Sequence, residues 1–269
     1  MFMQRLSVAF FVSTLTLSGI RAQTAIVPII ELKGGGLMGG VQNGKWIAPT
    51  KVSPKLQSET EVVLVGWNGV EEGGVTFAKK QEQEDVCPDF TRMKMDLEQD
   101  HGVAIGTGGK WNPMPRLPKL IALDNATYRS VVTSYLKRKG ILRPVVKITQ
   151  AYRVDLEGDG VEEVLLAATY YKKGLSSSAA VGDYSFVMVR KAVGKTVTDH
   201  LLKGDFITKK IDFGAPTENH ISGVADLNGD GKMEIVLYGS YYEGDFASAF
   251  EMKNGKPVEI KEFEIGCGV

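Results

Sequence analysis

Short runs of β-branched and aromatic residues, bounded by glycine, asparagine or charged residues, recur along most of the chain. Such runs are typical of β-strands, whose alternate side chains face a core. Two pairs, Asn43-Gly44 and Asn254-Gly255, suit tight hairpin turns, because both central residues of such a turn need a positive φ. The predicted strands are residues 61–67, 75–78, 145–154, 164–171, 184–190, 221–225, 235–242, 246–252 and 257–263.

One segment has a helical pattern instead. Asp124 or Asn125 can cap its start, and its last turn is followed by Gly140 and Pro144, which end helices. Between these signals, apolar residues recur three and four positions apart, which makes one apolar stripe. The stripe consists of Tyr128, Val131, Val132, Tyr135 and Leu136. The whole pattern predicts a mainly β chain with one or two helices, in the α+β class, built from repeated β-hairpin blades.

The first residues have the pattern of an export signal. Arg5 precedes the apolar run Leu6–Leu17, which is too short to span a bilayer, and Ala22 suits cleavage before Gln23. An uncleaved N-terminal anchor is the alternative. No cysteine follows the cleavage site as a lipid attachment point, and no later apolar run is long enough for a membrane span. We therefore expect a periplasmic or secreted protein whose signal peptide is residues 1–22.

The charge balance and the two cysteines limit the possible functions and the redox state of the chain. The chain has 32 basic and 32 acidic residues. Loss of residues 1–22, which hold two of the basic residues and no acid, leaves 30 against 32, a balance that argues against nucleic-acid binding. The two cysteines, Cys87 and Cys267, are predicted to form a disulfide after export, with two free thiols as the alternative.

An internal repeat divides the second half of the chain. Asp155–Tyr171 aligns without gaps on Asp226–Tyr242, with an offset of 71 residues and nine identities in 17 positions. A repeat of this kind indicates one supersecondary unit used twice. We therefore divide the chain after the signal into a β-rich region, 23–120, and a second region, 121–269. The second region holds the helix and two repeats, residues 155–190 and 226–263.

Each repeat begins with oxygen-bearing side chains at alternate positions, followed by a glycine and a later acid. A short loop wrapped around an ion points every second side chain inward, and the glycine lets the next backbone carbonyl reach the ion. Calcium accepts about 6–8 oxygens in irregular geometry, so the pattern predicts up to two structural Ca²⁺ ions. The predicted ligands are Asp155, Glu157, Asp159, the Val161 carbonyl and Glu163, then Asp226, Asn228, Asp230, the Lys232 carbonyl and Glu234.

The loops are not EF-hands, because Leu166 and Leu237 occupy the position of the twelfth-residue glutamate and apolar strand residues follow. The pattern resembles the FG-GAP/VCBS repeat family, with Asp-x-Asp-x-Asp-Gly-x-x-Asp between strands. The resemblance covers roughly residues 145–265. It implies calcium held between blade strands, often in a β-propeller, and two copies leave an incomplete propeller or a β-sandwich open. The alternative is a pair of polar turns whose side chains only form hydrogen bonds with their own backbone.

These observations favour a non-catalytic calcium-binding repeat protein, in which the metal is structural and the role is binding or scaffolding at the cell exterior. The partner, a protein or a carbohydrate, cannot be read from the residues. An exported hydrolase is the second hypothesis, with Asp199, His200 and the 172–183 loop as its candidate residues. A cell-surface carbohydrate or adhesion module is the third. A concave pocket collecting histidines and acids would favour the enzyme.

Overall fold

A computed structural model describes residues 25–81, 86–95, 101–210, 214 and 216–268. The expected signal peptide, residues 1–22, lies outside the described residues. Among the helices of the described ranges, none is long and apolar enough to cross a membrane. The fold class is confirmed: the chain is mainly β, with three antiparallel sheets and two helices.

The first sheet has seven strands in the order β3-β2-β1-β7-β4-β5-β6. Its hairpin turn at Asn43-Gly44 has φ values of 54° and 70°, as the Asn-Gly pair predicts. A short helix, α1 (Pro49–Val52), packs beside it. The strands are β1 (Val27–Glu31), β2 (Leu37–Gln42), β3 (Lys45–Ile47), β4 (Glu59–Gly66), β5 (Gly69–Lys80), β6 (Met93–Met95) and β7 (Val103–Gly106).

The second sheet has the order β12-β11-β10-β9-β8. Its strands are β8 (Lys119–Leu120), β9 (Ile148–Val154), β10 (Glu163–Tyr170), β11 (Tyr184–Val193) and β12 (Thr196–Phe206). Helix α2 (Ala126–Arg138) lies on one face. Asn125 caps this helix, because its Oδ1 accepts from the amides of Thr127 and Tyr128. Gly140 follows with φ of 95°, so both predicted helix ends are confirmed.

The third sheet repeats the meander of the second. Its strands β13 (Glu218–Ala225), β14 (Glu234–Tyr241), β15 (Gly244–Lys253) and β16 (Lys256–Glu259) pair in chain order, and β17 (Ile265–Gly268) joins β15. The strands β9 to β12 pair in the same way. The sequence repeat is therefore a repeated antiparallel meander, and each acidic loop closes its first hairpin.

Alternating side chains place the second sheet between two apolar layers. Leu165 and Ala167 face a large core shared by all three sheets, while Leu166 and Ala168 face helix α2. All four are fully buried. Burial of a leucine side chain stabilises a fold by about 1.5–3 kcal/mol, so this alternation fixes which face of β10 meets the helix.

The predicted disulfide is confirmed. Cys87 and Cys267 are bonded, with their Cα atoms 5.6 Å apart and a sequence separation of 180. Cys267 lies on β17 of the third sheet, and Cys87 precedes β6 of the first. Arg92 and Asp245 form an ion pair at 3.3 Å between the same two sheets. The bond therefore joins the first and third sheets.

Candidate functional site

The two acidic loops occupy equivalent places. Residues 155–162 join β9 to β10, and residues 226–233 join β13 to β14. Glu163 pairs with Val154 across the first hairpin, and Glu234 pairs with Ala225 across the second. The final acid of each motif is thus the first residue of the returning strand, and each loop projects from the end of a hairpin.

In the second loop, backbone amides hold the first and last carboxylates. Asp226 accepts from the amides of Gly229, at 2.7 Å, and Gly231, at 2.9 Å. Both glycines have φ near 80°, a left-handed conformation that side-chain-bearing residues rarely adopt. Glu234 accepts from the amide of Leu227 at 2.8 Å. These contacts fold the loop around its own acids.

The first loop repeats this hydrogen-bond pattern. Asp155 accepts from the amides of Gly158, at 2.7 Å, and Gly160, at 3.0 Å. Glu163 accepts from the amide of Leu156 at 3.0 Å. Leu156 is fully buried, as its counterpart in the second loop is. The shared sequence therefore produces one backbone scaffold twice.

A lysine distinguishes the first loop. The Lys191 ammonium, on β11, lies 2.7 Å from Glu163, donates to Glu157, and lies 3.8 Å from Asp159. Its side chain is 7% exposed. Burial opposes the charge, but the hydrogen bonds to Glu157 and Glu163 outweigh this effect and raise the pKa of Lys191. The first loop therefore has a built-in cation among its carboxylates.

The second loop has an acid at the equivalent place. The β10–β11 and β14–β15 pairs have the same register, so Glu251 lies opposite Glu234 as Lys191 lies opposite Glu163. The Glu251 carboxylate forms an ion pair with the Lys253 ammonium at 2.6 Å, and the Lys253 side chain is 57% exposed. The second loop thus has a carboxylate where the first has a buried ammonium. The lysine that pairs with this carboxylate, Lys253, is exposed to solvent.

Electrostatics of the second loop reflect this exchange. Burial raises the pKa of Glu234 to about 9, and the carboxylates of Asp226, Asp230 and Glu251 add to the shift. The hydrogen bond from the Leu227 amide acts in the opposite direction. Burial also raises the pKa of Asp226. The anionic forms of Glu234 and Asp226 are therefore disfavoured by their surroundings.

The structure brings the predicted ligand residues together in two loops but does not draw their oxygens onto one point. Asp230 accepts from the Lys232 amide at 2.8 Å, and Asn228 accepts from the Asp230 amide at 2.9 Å. Within the described residues, no three His, Cys, Asp or Glu side chains lie close enough together to hold a metal ion. Calcium binding at either loop stays a prediction.

Arg116, which has no counterpart in the repeat, joins the two loops. Its guanidinium donates to the carbonyls of Asp155, at 2.5 Å, and Leu156, at 3.3 Å, in the first loop. It also donates to the carbonyl of Gly231, at 2.8 Å, in the second. The Met233 amide donates to the Leu156 carbonyl at 2.8 Å. The loops are therefore mechanically connected through backbone groups.

We expect Arg116→Met to lower the free energy of unfolding by about 1–3 kcal/mol, because three carbonyls lose a charged donor. Urea denaturation followed by far-UV circular dichroism measures this change. Arg143→Met, at an exposed position, is the matched control and should change stability by less than about 0.5 kcal/mol. Equal stability of the two variants would show that the bridge is energetically unimportant.

Two acids of the hydrolase hypothesis, Asp199 and Asp183 of the 172–183 loop, have other partners, whereas His200 is partly buried on β12. The Asp199 carboxylate accepts from Arg190 at 2.6 Å and from Arg138 at 2.9 Å. In the 172–183 loop, Asp183 is buried and accepts from the amides of Lys172 and Ala180. These contacts give both acids structural roles, so they carry no argument for catalysis.

The comparisons with known proteins found no match for this chain among protein-family models, curated proteins or solved structures. Within the chain itself, the exchange of Lys191 for Glu251 is the main chemical difference between the two otherwise similar loops.

Proposed function

We propose that the second loop binds one structural Ca²⁺ ion, and that the chain is an exported binding or scaffold protein of the FG-GAP/VCBS type. The observation that carries the calcium proposal is the charge exchange between the repeats. The first loop balances its acids with Lys191. The second has the same scaffold, an additional acid in Glu251, and no buried lysine in the equivalent position.

The donor set of the second loop suits calcium. All its candidate ligands are oxygens, which a hard cation prefers, and none is a thiolate or imidazole. Binding requires the side chains to move together, because within the described residues no three acids converge on one point. The residues that would hold the ion are Asp226, Asn228, Asp230, the carbonyl of Lys232 and Glu234. The ion supplies positive charge that lets these carboxylates be ionised side by side.

The proposal includes only one ion. An ammonium within hydrogen-bond distance of two carboxylates already supplies the positive charge in the first loop. A divalent cation there would be repelled by Lys191, since like charges a few ångströms apart destabilise each other. We therefore confine the calcium proposal to residues 226–234.

Calcium should raise the melting temperature of the protein relative to chelator. At a free concentration 100 times the dissociation constant, binding to the folded state stabilises it by about 2.7 kcal/mol. In Glu251→Lys the new ammonium should take the place that Lys191 has in the first loop. This variant should lose most of the calcium response and should be more stable than the wild type in chelator. Differential scanning calorimetry in both media measures both effects.

The matched control is Glu262→Lys, which makes the same charge change at an exposed position. It should keep the full calcium response. Trp111 offers a second readout, because its indole nitrogen donates to the Asp226 carbonyl at 2.7 Å and its ring lies against Gly229. Identical melting curves and tryptophan emission of the wild type with calcium and with chelator would contradict the proposal.

A further inference from the structure

A pocket of about 370 Å³ lies where the three sheets meet. Lys33 and Trp67 come from the first sheet region, Tyr152 from the second sheet and His220 from the third. Pockets at the junction of several elements, with aromatic walls and a few polar groups, are typical small-molecule sites. Neither the loops nor any residue of the calcium proposal lines this pocket.

One wall of the pocket is aromatic. The rings of Trp67 and Tyr152 are stacked, with centroids 3.8 Å apart and an interplanar angle of 8°. Both side chains are half-buried, so part of the stacked pair remains accessible. The two rings cover each other's inner faces, so a ring-shaped ligand can pack its C–H face only on an outer face or on the ring edges. The stack keeps this wall rigid by restricting the rotation of both side chains.

Three basic side chains line the pocket beside the neutral residues Thr149, Gln150, Ile221 and Ser222. Lys33 is exposed, with its ammonium 5.4 Å from the centroid of the Tyr238 ring, and His101 and His220 line the same cavity. These are two of the chain's three histidines. Glu218 lies 3.6 Å from the imidazole of His220 and is the counter-charge of both His220 and Lys33. The arrangement favours an anionic ligand.

A second acid, Glu31, lies next to the pocket residue Ser222, but its oxygens already accept hydrogen bonds from the protein. It is fully buried, and its oxygens accept from the Ser222 hydroxyl and from the amides of Lys33 and Gly34. Burial, the largest effect, raises the pKa of Glu31. Its carboxyl therefore organises the backbone around Lys33 and does not face a ligand.

Hydrogen bonds between the sheets preform the pocket. The side chain of Gln150 accepts from the Ile221 amide at 2.7 Å and donates to the Ile221 carbonyl at 2.8 Å. The Gly102 amide donates to the Ser222 carbonyl at 2.6 Å. A preformed pocket loses little conformational freedom on binding, which favours affinity for a small ligand.

We propose that this pocket binds an acidic monosaccharide, a single pyranose ring with a carboxylate. The ring lies on the wall of Trp67 and Tyr152, and the carboxylate meets the ammonium of Lys33 and the imidazoles of His101 and His220. No residue of the second loop lines this site, so the ligand proposal can be tested independently of the calcium proposal.

The test uses D-glucuronate, with D-glucose as the neutral ring and acetate as the carboxylate without a ring. Saturation-transfer NMR and calorimetry on the full chain, in calcium and in chelator, should show saturable binding of D-glucuronate. D-Glucose and acetate should bind at least about tenfold more weakly, because each lacks one of the two recognised groups. Lys33→Met should weaken D-glucuronate binding by about tenfold or more.

Lys110→Met is the matched control, because this exposed lysine lines a different cavity. It should leave binding unchanged, and both variants should unfold at the same urea concentration as the wild type. Three results would overturn the proposal: no saturable binding of D-glucuronate, equal binding of D-glucose, or unchanged affinity in a folded Lys33→Met variant. Loss of the calcium response in Glu251→Lys, with D-glucuronate binding retained, would confirm that the two sites are separate.

Discussion

Replacement of Lys191 by methionine should lower the free energy of unfolding by about 3–5 kcal/mol. Methionine keeps the apolar stem but removes the charge, which leaves the fully buried Glu163 and the neighbouring Glu157 without their shared cation. Removal of one partner from a buried ion pair is strongly destabilising, because the remaining charge stays buried and uncompensated. Urea denaturation in chelator, at pH 7, measures the loss.

Lys195→Met provides the control, since Lys195 is exposed in the turn between β11 and β12. It should change stability by less than about 0.5 kcal/mol. Calcium should restore part of the stability lost in Lys191→Met, because the first loop then has the same uncompensated acids as the second. A Lys191→Met loss no larger than that of the control would show that the first loop does not depend on the ammonium.

Removal of the disulfide should have an effect of similar size. Cross-linking residues 180 positions apart restricts the unfolded chain, and the chain-entropy account gives about 5 kcal/mol of stabilisation for a loop of this length. The paired variant Cys87→Ser with Cys267→Ser should lose this amount in urea denaturation. The folded sheets should persist, because the buried side chains of the shared core come from all three sheets and the two cysteines pack only against its edge, as partly buried residues.

Chemical reduction of the wild type is the matched comparison for the serine variant. The reduced protein and the variant should have the same unfolding midpoint, because both lack the cross-link. If the variant is as stable as the oxidised wild type, the restriction of the unfolded chain contributes nothing measurable. Two free thiols in the purified protein, detected by mass spectrometry, would instead show that the bond does not form.

The sequence alone predicts the elements whose ends are marked by capping or turn residues. Asn125 and Gly140 bracket helix α2, and the apolar stripe between them faces the second sheet. Positive φ at Asn254 and Gly255 confirms the second predicted hairpin turn. The repeated motif also predicts that two loops share one backbone scaffold. In each case a few adjacent residues determine the conformation, so no knowledge of distant contacts is needed.

Edge strands and glycine-rich strands were missed. Strand β12 (Thr196–Phe206) is an outer strand of its sheet and has only one buried side chain, Leu202, so its sequence lacks an apolar alternation. Strand β2 (Leu37–Gln42) contains Gly39 and Gly40, which are unfavourable for strands by propensity. At Gly40, a Cβ atom would lie 2.8 Å from the Val27 carbonyl oxygen of the adjacent strand. Its glycines therefore reflect close packing, which appears only in three dimensions.

The decisive parts of the candidate sites were also invisible in sequence. Lys191 lies 28 residues from Glu163, and its contact depends on the register of β10 with β11. The ungapped alignment of the repeats does not reveal its counterpart, because the β10–β11 loop is longer than the β14–β15 loop, and only the strand register identifies Glu251. His101 and His220 come from different sheets, and no local spacing indicates that they share a pocket.

The exchange of Lys191 for Glu251 has a consequence for when each hairpin can mature. A covalently tethered counter-ion travels with the polypeptide, so the first hairpin is complete as soon as its strands collapse, whatever the medium. Under the calcium proposal, the second hairpin relies on a freely exchangeable ion and reaches its full stability only where that ion is abundant. The stability of the first repeat would thus be independent of calcium, whereas that of the second would depend on the calcium concentration around the protein.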